Sequence, residues 1–302
     1  KLYCYFFVDW SDLMKIKYLG TAAYEGIPSL FCECETCKKA RAFKGKNIRT
    51  RSQALINDDL LIDFPPDTLV HANTYDIDFQ RIHHCLITHS HSDHFYPEDI
   101  MIVRDDYNHA PGYKLFYYAG ESAYFTLKKL FEKDNMKNTG GVELVKKFKI
   151  IKFSHYEVIP LPASHDPKSS PFVYLIKDLN DGKVLLYGND SGYFSNETME
   201  YIFNNVKYID LISLDCTGAL QKKWGLNNGR HMSLDVNIML FNDLKRHGII
   251  DAKTIKVSNH FSHNGGAIYD EIAPVAKEED VIVTYDGLEI DHQIRLKNII
   301  MT

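Results

Sequence analysis

The chain has 302 residues, of which 45% are hydrophobic and 25% are charged, and its formal net charge is −5. This composition is typical of a well-packed globular protein, and the length allows one large domain or two ordinary ones. The acidic balance lacks the basic footprint of a non-specific nucleic-acid binder, and no apolar run approaches the roughly 20 residues needed to span a membrane.

The first thirteen residues are aromatic and contain no small-residue cleavage site after an apolar core. We therefore interpret residues 1–13 as an extension outside the catalytic core rather than as a signal peptide. Short β-branched or aromatic segments that end in Gly, Asn or Asp recur through the rest of the chain, with helical spacing between some of them. These patterns predict packed sheets with helices outside them, in one domain over residues 14–302 with a helix-rich insertion at about residues 97–153.

The segment Thr88–Phe95, THSHSDHF, directly follows an apolar strand candidate and contains four metal-binding side chains. Residues two apart in an extended segment point the same way, so His89 and His91 can chelate one metal. Asp93 and His94 leave on another side and can reach a second metal. Imidazole and carboxylate groups are suitable ligands for zinc, manganese or iron.

Three later strand candidates also deliver a metal-binding residue at their C-terminal ends, namely His165, Asp190 and His260. A lone histidine after a strand is usually an ordinary loop or surface residue, and we interpret scattered histidines such as His71 and His109 in that way. Because HxHxDH needs further ligands, we predict that His165 completes the first metal site and His260 the second, with Asp190 bridging them. Two metals roughly 3.5–4 Å apart can hold a hydroxide and neutralise a phosphate or carbonyl oxyanion.

The HSHSDH segment matches the HxHxDH signature of the metallo-β-lactamase fold, and His165, Asp190 and His260 follow in the order of that superfamily's later metal motifs. The resemblance implies an α+β fold, a four-layer αββα sandwich with a two-metal site at one edge. LGTAAYEGIPSLFCECETCKKAR and RTRSQALI near the start, with SNHFSHNG and TYDG near the end, resemble more narrowly the PhnP-type phosphodiesterases of phosphonate breakdown. The resemblance extends from about Met14 to the C-terminus and is weakest between His94 and His165.

In that family three clustered cysteines and a late histidine bind a structural zinc. The resemblance carries these ligands to Cys32, Cys34, Cys37 and His263, a Cys₃His set of the closed tetrahedral kind. Such a zinc would pin the early loop against the loop of His260. The alternative interpretation is a reduced or reactive cluster of surface cysteines.

The resemblance also implies a catalytic role for His231, in NNGRHMSLD, which would contact the phosphate or protonate the leaving oxygen. The alternative is an ordinary surface histidine at a helix start. Asp93 is expected to orient the attacking water as well as to bind metal. Arg49 and Arg51 could touch a substrate phosphate, but we favour a solvated face for them, and we expect Asp286 to support the site without taking part in the chemistry.

These expectations describe a dinuclear-metal hydrolase that cleaves small or cyclic phosphodiesters through a metal-bound hydroxide. It would use two zinc or manganese ions, with iron as a further option, and one structural zinc. The alternatives are a tRNA-3′-end-type processing nuclease, a thioester or lactam hydrolase on the same fold, and a non-catalytic metal-binding protein. We expect a cytoplasmic enzyme with a small-molecule substrate. We expect no membrane partner, and nucleic acid only as a substrate. A homodimer is an open alternative for its assembly.

Overall fold

The computed structural model describes residues 14–104, 106–226 and 229–291, so the extension predicted for residues 1–13 lies outside the described residues. Within the described residues the chain forms two seven-stranded sheets. No helix in this part of the chain combines the length and the apolar character that crossing a membrane requires.

The first sheet has the strand order β14–β1–β2–β3–β4–β5–β6. Its strands β3 to β6 pair in parallel, whereas β14, β1, β2 and β3 pair antiparallel. Numbered along the chain, these strands are β1 (Ile16–Gly20), β2 (Gln53–Ile56), β3 (Leu60–Ile62), β4 (His84–Ile87), β5 (Leu115–Ala119), β6 (Gly140–Leu144) and β14 (Leu288–Ile290).

The second sheet has the strand order β13–β12–β11–β10–β9–β8–β7. Its strands β10 to β13 are parallel, and β7 to β10 pair antiparallel. These strands are β7 (Ile151–Phe153), β8 (Tyr156–Pro162), β9 (Phe172–Asp178), β10 (Val184–Gly188), β11 (Leu211–Asp215), β12 (Ile255–Asn259) and β13 (Val281–Val283).

Helices cover the outer face of each sheet. In chain order they are α1 (Glu35–Phe43), α2 (Thr68–Thr74), α3 (Pro97–Ile100), α4 (Glu121–Phe131), α5 (Asn196–Asn205), α6 (Leu234–Arg246) and α7 (Tyr269–Glu278).

Alternation along the strands produces the layers. On β2, Ala54 and Ile56 face the second sheet, where they join a core with residues such as Val158 and Tyr187. Leu55, between them, faces the opposite way, into a core shared with α4. A third core lies between the second sheet and helices α5, α6 and α7. Strands with both faces buried are apolar throughout, which explains the continuous apolar runs of the sequence. The predicted four-layer αββα sandwich is confirmed.

The segment 97–153, for which we predicted a helix-rich insertion, contains α3 and α4 and also three strands. Strands β5 and β6 extend the first sheet, and β7 forms one edge of the second. The segment therefore crosses from one sheet to the other, and its strands are continuous with those of the sandwich. Its interpretation as an insertion stays a prediction.

Candidate active site

The loop after β4 carries four of the predicted ligands in a tight turn. The backbone N–H of His94 donates to the carbonyl of His91 at 3.0 Å, which curls the loop. At its start, the backbone N–H and the hydroxyl of Thr88 donate to Oδ1 of Asp63 at 2.7 and 2.9 Å. Because Asp63 directly follows β3, this loop is fixed to the neighbouring strand and not only to its own.

Four ligand atoms converge on one side of this loop. Those of His89, His91, His165 and Asp190 all lie within 4.8 Å of one another. Nε2 of His89 is 3.0 Å from Nδ1 of His91 and 3.0 Å from Oδ2 of Asp190, and Nε2 of His165 is 3.2 Å from Nδ1 of His91. Ligand atoms around a tetrahedral zinc, with bonds of about 2.0–2.1 Å, are about 3.3 Å apart. The four atoms therefore fit a single divalent cation.

A second group of four ligand atoms, from Asp93, His94, Asp190 and His260, also lies within 4.8 Å. Nε2 of His94 is 3.3 Å from Nε2 of His260, 3.4 Å from Oδ2 of Asp93 and 3.4 Å from Oδ2 of Asp190. Asp190 thus belongs to both groups, and its Oδ2 faces both. The structure brings together all seven predicted ligands, in the pairs and with the shared carboxylate that the sequence predicts.

Four of the five histidines turn Nε2 toward the centre, while Nδ1 contacts the surrounding protein. Metal-binding histidines usually have such a partner, because it fixes the tautomer and the orientation of the ring. His91 is reversed, with Nδ1 inward and Nε2 3.5 Å from Oδ2 of Asp166. The Nδ1 contacts are His89 with Thr88 Oγ1 (3.1 Å), His94 with Asp63 Oδ2 (2.6 Å), His165 with the carbonyl of Arg230 (3.3 Å) and His260 with Asp215 Oδ2 (3.0 Å).

Three residues of this centre have left-handed backbone conformations. Their φ angles are 66° for Asp63, 51° for Asp190 and 60° for His260. Such conformations cost free energy in residues other than glycine, of order 1–3 kcal/mol, and persist where the surrounding structure enforces them. Their concentration here indicates a site whose geometry is imposed by the fold.

The electrostatics favour ligand protonation states in His89, His165 and Asp93. Burial lowers the pKa of His89, and burial lowers that of His165 to about 4, so both rings are neutral near pH 7. Burial opposes ionisation of Asp93, but the neighbouring charge and hydrogen bond of His94 lower its pKa to about 2. Neutral imidazoles and ionised carboxylates are the forms that bind metal. Burial also acts to lower the pKa of His94 and His260, but the neighbouring carboxylates outweigh burial and raise the pKa of both rings, so metal binding there would displace a proton.

His231 lies beside the shared carboxylate. Its Nδ1 is 2.9 Å from Oδ1 of Asp190 and 3.3 Å from Oδ2 of Asp215, and its side chain is 25% exposed. Burial lowers the pKa of His231, but the carboxylates of Asp215 and Asp190 more than compensate and raise it to about 10. The ring therefore carries a proton at the edge of the centre. Although Ser233 precedes α6, its side chain makes no capping hydrogen bond there.

Asp215 and Asp63 were not among the predicted site residues. Asp215 contacts both His231 and His260, whereas Asp63 contacts His94 and the start of its loop. Each stands at the C-terminal end of a buried strand, in LLID and LISLD, and this position was the available signal. The same rule identified Asp190.

The centre opens into a cleft of about 640 Å³. Thr217 and Ser92 line it together with several of the ligands. Its lining also includes two aromatic side chains, a guanidinium, a carboxylate and an amide, from Tyr24, Trp224, Arg230, Glu25 and Asn264. The cleft can therefore contact both charged and planar parts of a small molecule.

The cysteine cluster lies near the cleft. The ligand atoms of Cys32, Cys34, Cys37 and His263 lie within 4.8 Å of one another. Nδ1 of His263 is 3.5 Å from Sγ of Cys32 and 3.4 Å from Sγ of Cys34. Zinc bonds of about 2.3 Å to sulfur and 2.0–2.1 Å to nitrogen place such atoms about 3.6 Å apart in a tetrahedron. The four residues therefore fit a zinc ion.

Glu25 connects this cluster to the cleft. Its Oε1 is 3.5 Å from Nε2 of His263, on the side of the ring away from the cysteines, and it accepts a hydrogen bond from Ser262. Carboxylates commonly hold zinc-bound histidines in this way. Glu25 also lines the cleft, so the two groups of ligands share one wall.

Several polar residues lie in places that the sequence did not indicate. Arg49 is 3% exposed, so the solvated face favoured for it was wrong, whereas Arg51 pairs with Asp67 at 3.2 Å. His71, interpreted as an ordinary loop or surface residue, is instead buried in α2. Asp286 accepts hydrogen bonds from two threonines behind the site and is absent from both groups of ligand atoms.

Comparison with known proteins identifies a family profile and several solved structures that are similar to this chain. The sequence profile described as Beta-lactamase superfamily domain matches residues 59–253. A crystal structure of a diphosphatase from the PhnP family has 20% identity and a TM-score of 0.69, covering 92% of this chain and 96% of that one. Zinc-bound PqqB from Methylobacterium extorquens has 18% identity and a TM-score of 0.69, covering 92% and 99%. The short form of human tRNase Z has 14% identity and a TM-score of 0.60, covering 92% and 98%. No curated protein sequence matches the chain.

The two-sheet sandwich with a His/Asp centre at one edge defines a class of metal-dependent hydrolases that includes phosphoesterases. Since the profile spans more than half of its length, the chain belongs to the beta-lactamase superfamily and has the metallo-β-lactamase fold.

Proposed function

We propose that this protein is a dinuclear-metal phosphodiesterase that acts on small or cyclic phosphodiesters. The observation that carries the proposal is the pair of ligand groups that share Oδ2 of Asp190, with His231 next to the same carboxylate. A shared carboxylate oxygen is suited to hold two cations close together, which is the arrangement of many phosphoryl-transfer enzymes.

His89, His91 and His165 would hold one cation, and Asp93, His94 and His260 the other. Zinc and manganese are the ions that we favour for this ligand set, with iron as a further option. When bound, the two cations would lower the pKa of water and neutralise charge on the phosphate oxygens.

The chain itself supplies orientation and proton transfer. Asp93 is ionised, so its carboxylate can accept a hydrogen bond from the attacking water and align it with phosphorus. His231 carries a proton at the cleft, held in place by Asp215 and Asp190. As the bond from phosphorus to the leaving oxygen breaks, His231 would donate this proton to that oxygen and leave a neutral alcohol.

The surroundings of the site favour a small substrate. The cleft measures about 640 Å³, and among the non-ligand residues that line it in the described chain the cationic side chains are Arg230 and the protonated His231. The net charge of −5 is unfavourable for a polymeric polyanion. We also place the enzyme in the cytoplasm, because clustered thiols of this kind are typical of reducing compartments.

Metal analysis together with hydrolysis of bis-p-nitrophenyl phosphate tests the proposal. We expect purified wild type to contain transition metal and to be active, and His89→Ala to lose metal and most of its activity. His109→Ala is the matched control, because His109 is exposed and belongs to neither group of ligand atoms. A protein without transition metal, whose activity survives His89→Ala, would contradict the proposal.

A substrate panel separates the alternatives. We expect cyclic nucleotides or cyclic sugar phosphates to be the best substrates. Preferential cleavage of RNA 3′ ends would instead support a processing nuclease, and preferential cleavage of a thioester or lactam would assign a different hydrolysis to the same fold. A metal-bound protein that cleaves none of these compounds would be a metal-binding protein rather than a phosphodiesterase.

A further inference from the structure

Arg49 is a buried guanidinium without a directly paired carboxylate in the described part of the chain. Its Nη1 donates to Oγ1 of Thr21 at 2.6 Å and to the carbonyl of Thr284 at 2.7 Å, while its Nη2 is buried without a hydrogen-bond partner there. The nearest carboxyl group, on Asp286, is reached through Thr21, whose hydroxyl lies 2.6 Å from Oδ1. Burying a guanidinium is unfavourable even in real, relaxed proteins. An apolar side chain would fill this position at lower cost, so the position of Arg49 needs an explanation.

Arg49 contacts the residue that follows His260. Its Cζ lies 4.2 Å from the centroid of the Phe261 ring, which is itself buried. A desolvated cation over an aromatic face is attracted more strongly than one at an exposed site. The backbone of Phe261 is in turn fixed, since its N–H donates to the carbonyl of Thr21 at 2.8 Å. Arg49 and Phe261 are therefore also connected through Thr21, which accepts one hydrogen bond from each of them.

Arg49 also reaches the residue that precedes His260. The carbonyl to which it donates belongs to Thr284, and the hydroxyl of Thr284 donates to Oδ1 of Asn259 at 2.6 Å. The backbone N–H of Thr284 donates to the carbonyl of Ser258 at 3.0 Å. One guanidinium is therefore connected to the chain on both sides of His260.

His260 is the residue that needs such support. Its φ angle of 60° is left-handed, and Asp215 and Thr217 contact its imidazole. Thr217 Oγ1 also donates to the carbonyl of His260 at 3.1 Å, whereas Arg49 acts on the residues on either side of it. If that backbone relaxed, Nε2 of His260 would move away from Nε2 of His94, which lies 3.3 Å away.

We propose that Arg49 is a positioning residue of the active site, whose buried guanidinium holds the strained backbone at His260 through Phe261 and Thr284. The inference rests on the proposed two-metal site, because its consequence is the affinity for the cation that Asp93, His94 and His260 would bind. Burial lowers the pKa of Arg49 to about 10, so the guanidinium keeps its charge at neutral pH.

The experiment measures Mn²⁺ binding by equilibrium dialysis, together with kcat, KM and thermal stability. We expect Arg49→Met to weaken one of two Mn²⁺ equivalents by about 10- to 100-fold, as loss of a ligand-supporting contact does, and to leave the other within about twofold. His260→Ala serves as the reference for a protein that has lost the second Mn²⁺ equivalent. We expect kcat of Arg49→Met to fall at limiting Mn²⁺ and to recover when Mn²⁺ is raised, with KM little changed.

Arg104→Met is the matched control. Arg104 is also largely covered by the protein and lies 4.7 Å from the ring of Tyr107, but it belongs to neither ligand group nor to the cleft. We expect this control to keep both Mn²⁺ affinities. If Arg49→Met does not fold, Phe261→Leu, which keeps the guanidinium and removes the ring, is expected to give the same selective loss.

Unchanged affinity for both equivalents in folded Arg49→Met, or equal weakening of both, would overturn the positioning role. In either case wild type would still bind two Mn²⁺ ions and hydrolyse phosphodiesters. Failure of wild type to do so would contradict the proposed function instead, so the two failures are distinguishable.

Discussion

Asp215 determines how two histidines of the centre are oriented. Its Oδ2 lies 3.0 Å from Nδ1 of His260 and 3.3 Å from Nδ1 of His231, and its Oδ1 accepts the backbone N–H of Met232 at 2.7 Å. One buried carboxylate therefore fixes a candidate metal ligand and a candidate proton donor together. A protonated histidine can donate its proton in a reaction only if its ring is held in position. The rigid carboxylate of Asp215 holds the ring of His231 in this way, whereas an ordinary surface histidine has no such partner.

We expect His231→Ala to reduce kcat by about 10²- to 10⁴-fold for a cyclic nucleotide, because proton donation to a poor leaving group contributes rate enhancements of this order. The loss should be much smaller for bis-p-nitrophenyl phosphate, since p-nitrophenolate leaves without a proton. Steady-state kinetics with both substrates, at verified metal content, measure the difference. An equal loss for both substrates would assign His231 to phosphate binding.

At the scale of single residues, the sequence predicts the site residues whose type and spacing are characteristic of metal binding. His89, His91, Asp93 and His94 stand within six positions, and that density is rare without a metal. Arg49 offered no such signal. Arginine is almost never fully buried, so sequence reasoning correctly favours the surface for it, and only the packing of Phe261 against it shows otherwise.

At the scale of elements, the turn that follows β12 serves two ligand groups. It carries His260 toward the two-metal centre and, three residues later, His263 toward the cysteines before and within α1. The loop between β1 and α1 lies against this turn, with the N–H of Ala23 donating to the carbonyl of Phe261 at 2.9 Å. A zinc ion held by the cysteines and His263 would therefore cross-link two loops that flank the cleft.

We expect Cys34→Ser to lower the zinc content by about one equivalent per chain and to reduce thermal stability, because structural zinc contributes directly to folding. Burial opposes ionisation of the Cys34 thiol, yet hydrogen bonds from the Cys37 backbone and from His263 lower its pKa to about 6, which favours the thiolate that zinc requires. Atomic absorption and thermal unfolding measure both effects. Cys85→Ala removes a buried thiol elsewhere in the chain and is the control, which should keep its zinc. An unaltered zinc content in Cys34→Ser would refute the assignment of the zinc site.

Elements were predictable where one pattern dominated. The strands that end at Asn259 and Gly188 are short, apolar and followed by a polar residue, and both are present. The aromatic segment YKLFYYA indicated a strand, and β5 is present there. Strand β6 was not recognised, because it begins with Gly140 and Gly141, which are poor strand formers. The pairing of β5 with β4 and of β6 with β5 depends on the rest of the first sheet, which local sequence does not describe.

At the scale of the whole molecule, buried polar contacts connect the outer helices to the sandwich. His71, on α2, donates from Nδ1 to Oε1 of Gln53 on β2 at 2.7 Å, and its Nε2 lies 2.7 Å from Oγ1 of Thr50. Gln53 donates in turn to the carbonyl of Asp63 at 3.0 Å. The hydrogen-bonded chain thus runs from α2 to the backbone carbonyl of Asp63, the residue whose carboxylate contacts His94.

This burial predicts a loss of stability in acid. Burial lowers the pKa of His71 from 6.5 to about 4 in the folded protein. Below about pH 6.5 the unfolded chain binds a proton that the folded protein excludes, so stability falls as the pH decreases and the loss is complete near pH 4. The full effect is about 3 kcal/mol.

Urea unfolding at a series of pH values measures this effect. We expect the free energy of unfolding of His71→Gln to be lower than that of wild type at pH 7.5 but to fall less steeply between pH 6.5 and 4.5. His109→Gln, at an exposed histidine, should keep the wild-type slope. Parallel pH profiles for wild type and His71→Gln would show that His71 titrates normally in the folded protein.

The division of the ligands between the two sheets determines when the centre can form during biosynthesis. His94 and His260, whose Nε2 atoms lie 3.3 Å apart, are separated by 166 positions in the chain. A nascent chain that has exposed only the first sheet offers the HxHxDH ligands without their partners. The first group of four is complete only after the ribosome has released residue 190, and the second only after it has released residue 260, and both need the sheets to dock. If the proposed centre binds metal, it would complete its ligand sets late in or after translation, and a chain arrested before residue 260 would lack the second set.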